Sequence, residues 1–239
     1  MSRIALVTGA GRGLGAALAT RLAGNGFAVA AHYHSSADGA EAVCREIRAR
    51  GGRAQSFRAD LRREAGALEL AEWVEAAFGG LELLVNNAGL YQPRRGLELS
   101  EAEWFEGLDS TVSQVFFTTR ALLPLLRQSG QGRIVNIGDS SCDRPGARDL
   151  AWSYHIGKTG VWMLTRSLAA TEAPHGVAVN MVSPGFLENS LDLPPAEEIP
   201  AGRFGSFDDV HSALRYLALE APAYLSGSNL VVSGGWNLR

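Results

Sequence analysis

The sequence predicts an α/β fold: a doubly wound parallel sheet of about seven strands with helices on both faces. Three observations predict it. Short β-branched runs alternate with longer stretches of helical periodicity along the chain, the pattern of right-handed βαβ units. The strand candidates "IALV", "ELLV" and "RIVNI" are near-continuous apolar runs, as strands covered on both faces require. At 239 residues and 46% hydrophobic, the chain has the material for one core of this kind. No repeat or linker divides it, so residues 1–239 are expected to form a single domain.

The elements follow in order. A first strand, Arg3–Thr8, ends where "TGAGRGLG" begins. A second, Phe27–Tyr33, leads into "AHYHSS", and a helix over Ala40–Arg50 follows with apolar residues at three- and four-residue spacing. The third strand, Ala54–Arg58, runs into "RADLR" and a helix over Ala65–Phe78. The fourth, Leu83–Asn86, opens "NNAG"; the fifth, Arg133–Ile137, opens "NIGDSSCDRP", with "YHIGK" beyond it. The sixth, Val177–Val182, precedes "SPGFLENS", and the seventh, Asn229–Val232, closes the sheet. Residues 186–207 are rich in Pro, Glu and Gly, and their place after a strand end suggests a lid over a site.

Charge and cysteine usage exclude several classes of function. The formal net charge of −3, with acidic and basic residues interspersed, offers no surface for nucleic acid. The two cysteines, Cys44 and Cys142, form no CxxC pair, which fits reduced thiols in a cytosolic protein, and no metal-ligand set is expected. The apolar start Ile4–Val7 runs straight into glycines rather than into a signal peptide, and no apolar run reaches membrane-spanning length. A soluble, cytoplasmic protein with a small-molecule partner and no membrane contact is expected.

"LVTGAGRGLGAAL", residues 6–18, passes from strand through four glycines into a helix. Glycine lets the backbone turn tightly and approach a pyrophosphate, and the helix behind it offers free N–H groups and a positive dipole end. Gly9, Arg12, Gly13, Leu14 and Gly15 are the candidate contacts.

The spacing Thr8-Gly9-x-x-x-Gly13-x-Gly15 resembles that of the short-chain dehydrogenase/reductase family. "NNAG" (Asn86–Gly89), "YHIGK" (Tyr154–Lys158), "SPGFLENS" and "SGSNLVVSGGW" resemble further motifs of that family, in order and over the whole chain. The resemblance implies a Rossmann-type fold and a nicotinamide cofactor. It implies that Asn87, Ala88, Gly89, Pro184 and Gly185 line the cofactor, with Asp60 and Leu61 at the adenine. For Asp60 the alternative is a helix N-cap, and both roles are compatible. It implies Tyr154 as proton donor and Lys158 as the amine that lowers its pKa and holds the nicotinamide ribose. The two residues are four apart and so share a helix face. It also implies a homo-oligomer, tetramer or dimer, through the apolar helices over residues 110–128 and 161–170.

NAD users in the family place an acidic residue after the second strand. "AHYHSS", residues 31–36, has none before Asp38, and Arg12, His34 and Ser35 suit a 2′-phosphate. NADP(H) is the expected cofactor and NAD(H) the alternative; either His32 or His34 is expected to be an ordinary strand side chain.

Two positions depart from the family pattern. Its catalytic serine corresponds to Asp139 when counted from the fifth strand, and to Ser141 when counted thirteen residues back from Tyr154, with Ser140 between them. The strand favours Asp139, because loops absorb insertions. An ionised carboxylate, however, accepts hydrogen bonds and repels an oxyanion. Its relay asparagine corresponds to Thr111, whose shorter side chain weakens that role. An aspartate, the "HYH" run and Tyr91, which could stack on a flat ring, resemble the pteridine reductase branch; "PGFLEN", with Phe186 at the substrate, resembles the ketoacyl-carrier-protein reductases. The expected function is therefore reduction of a 3-oxoacyl-type ketone or a pteridine C=N bond. The alternative is a catalytically impaired, cofactor-binding regulator or scaffold.

Overall fold

The computed structural model describes residues 3–191 and 193–236. Seven parallel strands form one sheet in the order β3-β2-β1-β4-β5-β6-β7. They are β1 (Arg3–Val7), β2 (Phe27–Tyr33), β3 (Ala54–Arg58), β4 (Leu83–Asn86), β5 (Arg133–Ile137), β6 (Ala178–Pro184) and β7 (Asn229–Val232). Helices α1 (Gly13–Gly24), α2 (Ala37–Ala49), α3 (Glu64–Phe78), α4 (Glu101–Leu108), α5 (Gln114–Gln128), α6 (Trp152–Glu172) and α7 (Phe207–Arg215) supply the crossovers and covers.

The expected strands are present, two of them with changed bounds. β1 stops at Val7, one residue before Thr8, because the Thr8 hydroxyl accepts from Asn87 N–H and Ala88 N–H instead of facing solvent. β6 starts at Ala178 and runs to Pro184, two residues beyond the expected end, as Ser183 and Pro184 pair with Val231 and Val232 of β7. Both faces are buried. One core joins β-strand residues such as Val7, Val29 and Val135 to Leu18 and Leu22 of α1, Ile47 of α2 and Leu214 of α7. The other joins Leu6, Leu84 and Ile134 to Leu70 and Val74 of α3 and Leu122 and Leu126 of α5. Each fully buried leucine or isoleucine contributes about 2 kcal/mol by leaving water.

One polar rung crosses this apolar interior. Asn86 and Asn136 sit opposite each other on β4 and β5, and the Asn86 Nδ2 donates to Asn136 Oδ1 at 2.8 Å. Thr119 of α5 accepts from Asn86 at 3.2 Å and Thr165 of α6 accepts from Asn136 at 2.9 Å, so both buried amides are also bonded to the helices that cover this face of the sheet.

The strand order reverses between β1 and β4, and the crevice at such a switch point, beyond the carboxyl ends of the strands, is where ligands bind in open α/β sheets. The turns after β1, β2, β4, β5 and β6 all open there. His32 of β2 braces this edge. It is buried, its Nδ1 accepts from Gly9 N–H at 3.3 Å, and its Nε2 donates to the Ala59 carbonyl at 3.1 Å. Burial lowers its pKa to about 4, so it stays neutral. Its folded-state pKa lies below the ordinary value of 6.5, so its contribution is complete above pH 6.5 and is lost as pH falls toward 4. Thermal melting of wild type and His32→Gln between pH 7 and 4.5 should show a steeper acid loss in the wild type. Equal slopes would remove this role.

Helix α6 is seated by close backbone approach. A Cβ on Gly157 would stand 1.8 Å from Thr111 Oγ1, and one on Gly107 of α4 would stand 2.1 Å from Ser153 Oγ. A turn of π-helix, Asp109–Ser113, joins α4 to α5 at this contact. Ahead of α6, Ala151 has φ +53°, a left-handed conformation disfavoured by its Cβ. It is held by Ala151 N–H donating to the Arg94 carbonyl at 2.8 Å.

Candidate active site

Two adjoining cavities open along the carboxyl edge of the sheet, sharing Leu14, Asn87, Gly89 and Asn189. The first, of about 590 Å³, is lined by the glycine turn, by His34, Ser35, Asp60 and Leu61, and by Ala88. The turn fits a group that needs bare backbone. Gly9 and Gly13 have φ of +66° and +54°, and a Cβ on Gly15 would stand 2.2 Å from the Gly9 carbonyl oxygen. Every expected cofactor contact from Gly9 to Gly89 lies on this cavity, and Arg12, exposed on the turn, has no side-chain partner among the described residues.

Both histidines line this cavity, His32 buried in its wall and His34 exposed, with its Nε2 4.0 Å from Asp60 Oδ2. Asp60 is not an N-cap: Arg63 occupies that position before α3, with no side-chain cap. The carboxylate instead takes Arg62 in a two-pronged pair, at 2.8 Å on each oxygen, and these bonds hold its pKa at about 2. Arg62 continues to Glu106 Oε1 at 3.5 Å, and Glu106 Oε2 accepts from Gln92 at 2.8 Å. Arg62, Glu106 and Gln114 also line the cavity, and the motifs gave no sign of them. Gln114 donates from Nε2 to the Ala88 carbonyl at 2.6 Å, tying α5 to the "NNAG" turn.

The second cavity, of about 480 Å³, is lined by Tyr154, Lys158, Tyr91, Asp139, Ser140, Ser141, Pro184, Gly185 and Phe186. His155, Arg148 and Trp236, not anticipated from the motifs, line it too. Lys158 is buried with Nζ donating to the Ile137 carbonyl at 2.6 Å and 5.6 Å from the centre of the Tyr154 ring. Tyr91 and His155 meet that ring edge-on at 5.2 and 5.3 Å.

The electrostatics correct one expectation. Burial first, then the Asp139 carboxylate with Tyr91 and Cys142, pushes the Tyr154 phenol up, not down. Burial draws Lys158 down to about 8. The protein's own residues therefore hold Tyr154 as a protonated acid.

Asp139 and Ser141 are not rivals for one position but a bonded pair: Asp139 Oδ1 accepts from the Ser141 hydroxyl and, at 3.0 Å, from Ser141 N–H. Asp139 Oδ2 lies 3.9 Å from His155 Nδ1. The Thr111 hydroxyl donates to the Gly107 carbonyl at 2.6 Å and packs under Gly157, on neither cavity.

The start of the segment after β6 lines the cavities, Phe186, Leu187 and Asn189 to Leu191 on the second and Asn189 on the first as well. Leu187 and Gly205 bridge its ends, Leu187 N–H donates to Ser190 Oγ at 3.0 Å, and Asn189 reaches Gly13. Asp192, within the expected lid, lies outside the described residues. Among the described residues no cluster of three or more His, Cys, Asp or Glu could hold a metal, and no helix is long and apolar enough to cross a membrane.

A doubly wound parallel sheet with a glycine turn at its switch point defines a Rossmann-type α/β protein. A family model described as short chain dehydrogenase matches residues 3–194. The chain is 33% identical over 245 residues to the 3-oxoacyl-[acyl-carrier-protein] reductase FabG of Staphylococcus epidermidis, covering 98% of this chain and 99% of that one. It is 32% identical over 241 residues to the FabG of Escherichia coli, covering 98% and 96%. Among solved structures, a short chain dehydrogenase from Burkholderia cenocepacia in complex with NADP superposes with a TM-score of 0.89 at 32% identity, over 97% of this chain and 96% of that one. The chain belongs to the short-chain dehydrogenase family and is an oxidoreductase of that family.

Proposed function

We propose that the protein is an NADP(H)-dependent reductase of small carbonyl compounds, with Tyr154 delivering the proton. The observation that carries this is the position of Tyr154 and Lys158 on consecutive turns of α6, facing a cavity that shares four residues with the glycine cradle. Gly9, Gly13, Leu14 and Gly15 would hold the pyrophosphate, with Arg12, His34 and Ser35 beside the 2′-phosphate. Asp60 and Leu61 would hold the adenine end, and Asn87, Ala88, Gly89, Pro184 and Gly185 the nicotinamide half. The reduced nicotinamide supplies hydride when bound.

Tyr154, kept protonated by its surroundings, donates to the oxygen that gains charge, and Lys158 steadies the phenolate left behind. Asp139, bonded to Ser141, can accept a hydrogen bond from a substrate N–H or O–H, while Tyr91 and Phe186 border the substrate. The relatives named as 3-oxoacyl reductases support a 3-oxoacyl-type ketone. The Asp139–Ser141 pair supports a second substrate, a pteridine C=N bond, because its carboxylate suits ring N–H donors. NADPH consumption with ethyl acetoacetate, a quinone and a dihydropterin tests the reading. Tight NADPH binding without turnover of any of them would overturn it in favour of a regulatory or scaffold role.

The cofactor choice rests on Arg12 and on the absence of an acid in residues 31–36. Arg12→Glu should raise the KM for NADPH about tenfold or more, the value of a lost charge-assisted bond, and leave that for NADH nearly unchanged. Equal effects on both would point to NAD(H). Phe116 on α5, Met163 on α6 and Phe105 on α4 are large exposed apolar residues. They support self-association into a dimer or tetramer through these helices, which light scattering would detect.

A further inference from the structure

The substrate end of the cleft carries a cation with no counter-charge. Many arginines elsewhere are ion-paired, such as Arg21 with Asp208, Arg63 with Asp109, Arg94 with Glu103, Arg127 with Glu172 and Arg203 with Asp209, whereas Arg12 on the glycine turn is not. Arg148 is half-buried, and its guanidinium has no hydrogen-bond or ion-pair partner among the described residues. It borders the cavity over Tyr154 and also a second, mainly apolar hollow of about 480 Å³ between Pro145, Trp152, Ile156 and Thr159.

Its main chain is fixed. The Trp152 indole donates to the Arg148 carbonyl at 2.6 Å, and Leu150 bridges to Arg95. The indole itself has no freedom, since a Cβ on Gly96 would stand 1.8 Å from it. The nearby carboxylates are engaged or turned outward. Asp139 is bonded to Ser141, Asp143 accepts from Asn229 at 3.0 Å, and Asp149 is exposed. His155, which shares both cavities with Arg148, brings no negative charge. A guanidinium held at a cavity wall without a counter-ion is a fork matched to a planar carboxylate.

Resting on the reductase reading, we propose that the natural substrate carries a carboxylate away from its reacting carbon and that Arg148 receives it. Asp139 and Arg148 both line the cavity and the hollow and make opposite demands there. Asp139 accepts a hydrogen bond, Arg148 binds an anion, and the apolar walls of the hollow take the substrate's chain. A substrate so held can enter in one orientation only.

The test compares levulinate, and its homologues with one and two further methylenes, with their methyl esters. kcat/KM is measured with NADPH, and binding by calorimetry on the protein with and without NADP+. At least one acid should exceed its ester about tenfold in both measurements. Arg148→Gln should level that ratio and Arg148→Lys should keep part of it, while Arg144→Gln, on the exposed stretch of the same loop, should leave it unchanged. Equal binding of acids and esters, or a preference that survives Arg148→Gln, overturns the assignment. Ester turnover without acid preference removes Arg148 and leaves the reductase reading standing. Arg148-dependent acid binding without turnover of any compound does the reverse.

Discussion

Tyr154→Phe is expected to lose two to four orders of magnitude in turnover, the usual worth of a positioned proton donor, while binding NADPH close to wild type. The substitution removes one oxygen and keeps the ring, so the edge-on contacts with Tyr91 and His155 and the Lys158 amine above the ring persist. Loss of rate with an unchanged cofactor affinity would separate chemistry from binding. Because burial and Asp139 hold the phenol up, Asp139→Asn should shift the basic limb of the pH–rate profile to lower pH. A variant Tyr154→Phe that still turns over would place the proton donor elsewhere, and the Asp139–His155 contact would be the next candidate.

Gly15→Ala is expected to weaken dinucleotide binding by one to two orders of magnitude with the sheet intact. The added methyl would meet the Gly9 carbonyl oxygen at 2.2 Å and Asn87 Nδ2 at 2.5 Å, and backbone on one side of the clash leaves no flexible group to yield. Overpacking of this kind costs about 1–3 kcal/mol, here focused on the turn. Gly24→Ala is the control, since nothing lies within 4 Å of the Cβ it would add. Titration of both variants with NADPH, beside their melting curves, checks the result; equal affinities would detach the turn from the cofactor.

The sheet was legible because its strands are buried on both faces, which writes them as unbroken apolar runs such as Leu83–Val85 and Ile134–Val135. Strand ends were less so. β6 continues through Ser183 and Pro184 only because β7 lies beside them, a partner invisible to local pattern. At the site, motif residues came together where backbone geometry carries the role: the glycines, Asn87 to Gly89, Pro184 and Gly185. Side-chain partnerships were harder. Nothing local says that His32 is buried and bonded to Gly9 and Ala59 while His34 stays exposed beside Asp60. Nor does it say that Asp60 closes on Arg62, two residues away. The choice between Asp139 and Ser141 was posed as a matter of counting, whereas the folded loop bonds one to the other. Nor does the local pattern say that a π-helical turn and the bare Gly157 draw the Thr111 hydroxyl into the contact between helices.

The rung of Asn86 and Asn136 makes two distant codons behave as one heritable unit. Replacing either amide by leucine takes from its neighbour the bond across the rung in a dry interior, at about 1–3 kcal/mol, whereas exchanging both for apolar residues of matching shape is close to neutral. Descent through single substitutions must cross that valley, so lineages that have kept one amide should have kept the other.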